Sequence, residues 1–538
     1  MSNRFTGIVF CAIFAIVFTQ CQDMSNETET MAAPELYQER HRPQVHFSPK
    51  EKWMNDPNGM VFFEGEYHLF YQYYPDSTVW GPMHWGHAIS TDLVHWEHLP
   101  IALYPDSLGY IFSGSAVVDW KNTSGFGSEE NPPLIAIFTY HDMEGERAKT
   151  STFQSQAIAY SNDKGRTWIK YEGNPVIPNP GIRDFRDPKV IWDENSEQWV
   201  MVFAAQDQVK IYGSKDLKEW QHLSDFGKEY GSHAGVWECP DLFPLYLEEE
   251  DKTYWVLLLS INPGGPNGGS ATQYFIGDFD GKRFTLDDRF QPQVDKMESG
   301  EEQAVWLDYG RDNYAGVTWS DIPEEDGRRI FIGWMSNWDY ARLVPTEAWR
   351  SAMTLPRNLT LEATESGPRL RQAWVREVDK LEIESKTLAN QTVEDTINLL
   401  TQAQEEAVEA RLKLQFRSIS AGITSFGIML VSAQEDYYTL GYDASKQHFF
   451  SDRRSAGDHS FSEKFASAIH TAPYKLKGEE MDFDIIIDRS SVELLAANGA
   501  VALTDLVFPK MDFHKIIFFT DDGSVEVSGT ISPLQSIW

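Results

Sequence analysis

Cysteine is almost missing from this chain of 538 residues: there are three, and Cys11 and Cys21 fall within the first 21 positions. Cys239 stands alone in the body, which excludes a disulfide framework there and a cysteine-based zinc site. Basic residues are also scarce, 46 Lys and Arg against 81 Asp and Glu, for a net charge of −35. Nucleic acid and anionic membrane surfaces are therefore poor partners, and a neutral substrate suits the chain better. No phosphate-binding loop is present, since the glycine-rich stretch I-N-P-G-G-P-N-G-G-S (261–270) lacks the lysine and following helix that phosphate requires. Histidines are scattered. In the tightest pair, His84 and His87 of H-W-G-H, strand geometry sends the side chains to opposite faces, so no metal or other cofactor is expected.

Long apolar runs are confined to the N-terminus, where M-S-N-R precedes F-T-G-I-V-F-C-A-I-F-A-I-V-F and then T-Q-C-Q-D. One positive charge, an apolar stretch short for a membrane span and a polar end make residues 1–21 an export signal. The end resembles a bacterial lipoprotein signal with Cys21 as the lipidated residue, although Gln20 fills a place usually held by a small side chain. Residues 22–37 are mostly polar and read as a flexible tether. A lipid anchor at Cys21 is then the one expected membrane contact, at the cell surface or in the periplasm.

Amphipathic helices of useful length are missing from residues 43–360, and short β-type runs replace them. V-F-F-E-G-E-Y-H-L-F-Y (61–71) is a hairpin turning at Glu64 and Gly65, and L-I-A-I-F-T-Y (134–140), Q-W-V-M-V-F-A-A (198–205), T-Y-W-V-L-L-L-S (253–260) and R-I-F-I-G-W-M (329–335) follow. A weak repeat links them: S-T-D-L-V-H-W from Ser90, S-N-D-K-G-R-T-W from Ser161, S-K-D-L-K-E-W from Ser214 and I-G-D-F-D-G-K-R-F from Ile276, spaced 71, 53 and 62 residues apart. Each period accommodates one four-stranded unit, and residues 38–365 accommodate five, which predicts a five-bladed β-propeller. Residues 366–400 are charged and polar and read as a connector, with at most a short helical stretch near W-V-R-E-V-D-K-L. Strict alternation then resumes in A-R-L-K-L-Q-F-R (410–417) and D-F-D-I-I-I-D-R (482–489), so 401–538 is expected to be a β-sandwich. The fold class is all-β.

Three carboxylates lie among apolar residues and close to proline: Asp56 in W-M-N-D-P-N-G, Asp187 in F-R-D-P-K-V and Glu238 in V-W-E-C-P-D-L-F. Proline removes a ladder donor and leaves a neighbouring side chain free to face a cavity. Any one of them alone reads sooner as a turn acid or a paired buried acid, and N-D-P-N-G is itself a strong turn signal. In order, however, these motifs resemble the signature blocks of glycoside hydrolase family 32, the invertase, inulinase and levanase group acting on β-fructofuranosides. Further blocks match: H-L-F-Y-Q-Y (68–73), W-G-P-M-H-W-G-H-A (80–88), D-L-V-H-W-E-H-L-P-I-A-L (92–103), F-S-G-S-A-V (112–117), G-W-M-S-N-W (333–338) and D-R-S-S-V-E (488–493). The resemblance spans about residues 40–538 and carries the same propeller and sandwich.

The resemblance implies Asp56 as nucleophile, Glu238 as acid and base, and Asp187, with Arg186, as the group that grips ring hydroxyls in the transition state. It also implies a fructose pocket formed by Asn55, Gln72, Trp80, Ser113, Arg186 and Trp338, with Trp53 and Trp85 either lining it or packing behind it. Blocks such as Q-A-I-A-Y-S-N-D-K-G-R-T-W look most like bacterial levanases and exo-inulinases, so release of fructose from the ends of levan or inulin is expected, with sucrose as a further substrate. An invertase or endo-fructanase would share the chemistry. A non-catalytic fructan-binding lipoprotein would be expected to lack one of the acids.

Overall fold

Runs of β-branched and aromatic residues, interrupted by Gly, Asn and Asp, favour short strands and tight turns. The computed structural model describes residues 36–295, 303–394, 397–398 and 409–538, and they are almost entirely strand and turn. The export segment, Cys21 and most of the tether lie outside the described residues. Seven sheets form, and the longest run of α-helix among these residues is the five-residue Met143–Arg147.

Five of the sheets follow one another along the chain, led by Lys52–Phe63, Tyr110–Val118, Phe185–Asp193, Val236–Leu247 and Tyr314–Thr318. Each leading strand packs against the next, and the fifth packs against the first, so the five close a ring. Trp349 and Arg350, after the fifth sheet's second strand, pair in parallel with Lys52 and Trp53 and tie the last part of the ring to its start. The four copies of the repeat all fall between the third and fourth strands of their sheets. Their recurring aspartate has a local cause: Asp92, Asp163, Asp216 and Asp280 each accept hydrogen bonds from backbone N–H groups two to four residues onward, which fixes the turn.

Residues 366–394 depart from the expected connector in forming two strands, while a short helical stretch near W-V-R-E-V-D-K-L is present as expected. Gly367–Trp374 is the outer strand of the fifth sheet, Arg376–Leu381 is a 3-10 turn, and Lys386–Val393 is an edge strand of the next sheet. Leu370, Gln372 and Trp374 point inward while Arg369 and Arg371 alternate with them on the wetter face. Charge on that face hides the period of two.

The C-terminal region is two six-stranded sheets. Alternate residues Ala410, Leu412, Leu414 and Phe416 from one meet Phe426, Ile428 and Leu430 from the other in a single apolar core. His46, ahead of the first sheet, is fully buried against this region, with Nδ1 2.7 Å from Asp488 and Nε2 2.7 Å from Glu493. Burial opposes its charge, but the two carboxylates outweigh burial and raise its pKa to about 9. A folded-state pKa above the unfolded value of roughly 6.5 stabilises the fold fully below that value, and the gain is lost as pH rises through about 9. Denaturant midpoints should therefore fall between pH 7 and pH 9 in the wild type and fall less in His46→Gln, as checked by urea titration at each pH.

Candidate active site

The ring of leading strands is irregular at one end, and this irregularity makes the site. Strand pairing slips between Met54 and Pro57 in the first, Ile111 and Gly114 in the second, Arg186 and Lys189 in the third, Glu238 and Asp241 in the fourth, and Tyr314 and Val317 in the fifth. Bulges re-aim side chains, and proline, having no N–H, loses no ladder bond there. Pro57, Pro188 and Pro240 occupy three of these bulges. Asp187 and Cys239 take left-handed backbone, with φ of 65° and 47°. N-D-P-N-G is accordingly a doubly bulged stretch inside a strand, in place of a hairpin turn. Gly59 permits this: its φ is +55°, and a Cβ would come within 2.6 Å of the Phe70 ring and 2.8 Å of Trp85.

The bulges converge on a pocket of about 410 Å³. Asn55, Asp56, Gln72, Trp80, Ser113, Arg186, Asp187, Glu238 and Trp338 all line it. Trp53 and Trp85 do not; both are fully buried behind it, Trp53 stacked on Trp338 with ring centres 5.9 Å apart and Trp85 bonded through Nε1 to the Phe112 carbonyl. Asp187 is buried at the floor, whereas Asp56 and Glu238 are partly open to the cavity.

Each acid is held in its own way. Asp56 accepts from Ser113 Oγ at 2.7 Å and from Asn55 Nδ2 at 3.0 Å. Asp187 accepts from the Cys239 backbone N–H at 3.0 Å. Glu238 accepts from Arg186 Nη2 at 3.0 Å and, on its other oxygen, from the Tyr314 hydroxyl. Arg186 also binds Asp184 at 2.7 Å and lies 3.7 Å from Asp187, so one guanidinium bridges three carboxylates. The Cys239 thiol sits between Asp56 and Asp187, 3.6 and 3.7 Å from their oxygens.

Crowding has an electrostatic consequence. Burial pushes Asp56 above the usual carboxylate range; the Asn55 and Ser113 hydrogen bonds oppose this, and the charge of Glu238 reinforces it. Asp187 is pushed up to about 7 by burial, against the pull of Arg186 and with added repulsion from Glu238 and Asp56. Burial, and then the carboxylates, push the Cys239 thiol well up, so it stays a neutral S–H donor. Asp56 and Asp187 thus hold a proton to higher pH than separate carboxyls would.

Several contributors carry no strong sequence signal. Tyr314 is a buried aromatic in a strand, indistinguishable by pattern from a core residue. Thr139, from the second sheet, accepts the Asp187 N–H at 3.0 Å. His141 lines the pocket beside Glu146, their Nε2 and Oε2 3.2 Å apart, and Glu146 sits on the short helix Met143–Arg147. Cys239 and Asp184 lie within the E-C-P-D and R-D-F-R-D-P stretches, and proximity to a flagged acid was the available cue.

Comparison with known proteins bears on this arrangement. Residues 46–373 match the glycosyl hydrolases family 32 N-terminal domain, and residues 377–534 match the family's C-terminal domain. The chain is 46% identical over 526 residues to a levanase of Bacillus subtilis, covering 97% of this chain and 74% of that protein. It is 40% identical over 529 residues to an extracellular exo-inulinase of Aspergillus awamori, covering 93% and 96%. The crystal structure of the Aspergillus awamori exo-inulinase superposes with a TM-score of 0.84 at 37% identity, over 93% of this chain and 100% of that one. A variant fructofuranosidase from Schwanniomyces occidentalis, complexed with fructosylnystose, gives 0.80 at 33% identity, over 94% and 99%. With both domain models matched in order across residues 46–534, the chain belongs to glycoside hydrolase family 32.

Proposed function

We propose that the protein is a retaining glycoside hydrolase that releases fructose from the ends of β-fructans, levan or inulin, and also cleaves sucrose. The observation that carries this reading is the pocket itself: Asp56, Asp187 and Glu238, from three different leading strands, all line one space of about 410 Å³. Gln72 Nε2 is buried in its wall with no protein partner among the described residues, a donor suited to a sugar hydroxyl. The levanase and exo-inulinase names of the relatives support the same substrates.

In this mechanism Asp56 attacks the anomeric C2 of the terminal fructosyl unit while Glu238 gives its proton to the departing oxygen. The C2–O bond breaks and a fructosyl ester forms on Asp56. Glu238, now ionised, takes a proton from water, whose oxygen attacks C2 and expels the Asp56 carboxylate. Asp187 and Arg186 hold ring hydroxyls through the oxocarbenium-like transition states. Asn55, Trp80, Ser113 and Trp338 complete the fructose subsite, the indoles against the apolar face of the ring.

The architecture that supports this chemistry is a five-bladed propeller over residues 38–374, the fifth sheet's outer strand included, consistent with the closed ring of leading strands, followed by a β-sandwich that braces it. The N-terminal segment and the extracellular relatives support export, with Cys21 as lipid anchor. A non-catalytic fructan-binding lipoprotein is disfavoured because Asp56, Asp187 and Glu238 are all present in one pocket.

A product time course tests the reading. Purified protein incubated separately with levan, inulin and sucrose should release fructose as the sole early product from a polymer, and the faster polymer identifies the preferred linkage. Early oligosaccharides would make it an endo-enzyme. Absence of product from all three substrates would replace the hydrolase with a binding protein.

A further inference from the structure

A second cavity, of about 330 Å³, lies at the other end of the leading strands. Ser113, Asp187 and Glu238 face the catalytic pocket, whereas Val118, Trp192 and Phe243, farther along the same three strands, line the second space. The two are separate. Lys189 lies between them, anchored through Nζ to the Thr318 carbonyl at 2.6 Å and to Asp241 at 3.4 Å.

Four indoles line the walls of this cavity: Trp120 from the turn after Tyr110–Val118, Trp192 and Trp199 from the third sheet and Trp255 from the fourth. Trp120 is 54% exposed and is the one exposed tryptophan of the chain's 18, the rest being buried or half-buried. Its ring is fixed in that open position, with Nε1 donating to Asp321 Oδ1 at 2.8 Å and its edge against Phe63. An indole held out to solvent beside a concavity marks a binding surface more than a packing residue.

Unspent polar groups sit among the rings. The Arg329 guanidinium lies over the Phe243 ring, 5.0 Å from its centre, and makes one hydrogen bond, Nη1 to the Trp319 carbonyl at 3.4 Å. It has no ion pair among the described residues, so most of its donors are unused. Ser320 Oγ is buried without a hydrogen-bond partner among the described residues. An anion is a poor match, because Asp321 and Glu194 line the same cavity and its two lysines are already paired, Lys121 with Glu194 and Lys189 with Asp241, each at 3.4 Å. A guanidinium, a carboxylate and a hydroxyl between aromatic faces instead match the alternating hydroxyls and apolar face of a sugar. The volume lies at the lower end of the range for small-molecule sites.

We propose that this cavity is a second, non-catalytic saccharide site, which holds a segment of fructan while a chain end is cut in the catalytic pocket. The inference rests on the fructan reading above. Holding polymer at a second point raises the local concentration of chain ends without any new contact in the pocket.

Calorimetric titration of the Asp56→Asn protein with fructo-oligosaccharides, of β-2,1 and of β-2,6 linkage, tests it. Two binding events per chain are expected, and one after Trp120→Ala is added. Arg329→Gln serves as the second variant, with near-UV circular dichroism to check the fold of each. In the active enzyme, Trp120→Ala should raise KM for polymer roughly tenfold with kcat retained, and Trp120→Phe, which keeps an aromatic face, should restore most of the loss. A single binding event in both Asp56→Asn and its Trp120→Ala derivative, with equal KM on polymer, would overturn the second site while the hydrolase reading stands. No binding of either oligosaccharide, together with no hydrolysis by the parent enzyme, would overturn both.

Discussion

Asp56→Asn is expected to leave the protein folded and to lower kcat for fructose release by about 10⁴-fold or more. The amide is isosteric and keeps the hydrogen bond from Asn55 Nδ2, now 3.0 Å from Oδ1, while the Ser113 hydroxyl can turn to accept where it donated at 2.7 Å. What it cannot do is form the fructosyl ester. The substitution also removes one negative charge from a crowded, buried group, so it relieves the repulsion that helps push Asp187 up and should not weaken the fold. Initial rates on sucrose and on polymer, beside near-UV circular dichroism and thermal melting, separate the two effects. Turnover near that of the wild type would remove Asp56 from the nucleophile's role, and a loss of activity accompanied by a lowered melting temperature would leave that role unproven.

The acids were legible in the sequence because their blocks, taken in order, resemble those of a known family. Apolar neighbours and a proline one or two residues on drew notice to Asp56, Asp187 and Glu238, but either cue alone suits a turn acid or a paired buried acid as well. The repeat was legible because Asp92, Asp163, Asp216 and Asp280 each close a turn by local hydrogen bonding, a property that survives without knowledge of the fold. Tyr314 and Thr139 were not, because their contributions come from strands distant in sequence that meet in the ring. Burial patterning cannot tell a hydroxyl aimed at a carboxylate from one filling a core. Residues 366–400 were misread for a different reason: on outer and edge strands the exposed face is charged, and the inward residues are too few to show a period.

The largest expected loss of stability follows from Arg357, whose side chain is fully buried where the fifth sheet meets the C-terminal sheets. Its guanidinium binds Asp308 at 3.0 Å, Gln372 at 2.9 Å, Glu493 at 2.5 Å and Thr504 at 2.6 Å. Glu493 in turn holds His46, so the end of the D-R-S-S-V-E block joins the N-terminal segment, the fifth sheet and the C-terminal region. Arg357→Met fills a similar volume but leaves the buried Asp308 without its cation and Glu493 with His46 alone. Breaking a buried pair from one side costs about 3–5 kcal/mol, a large share of the 5–15 kcal/mol that typically holds a domain together. Urea unfolding should show that loss in midpoint, and adding Glu493→Gln should cost less than the sum of the two single changes, since the second substitution removes one of the charges left without Arg357. Strict additivity would mean that Arg357 and Glu493 act independently, and a loss under about 1 kcal/mol would mean that apolar packing alone joins the two regions.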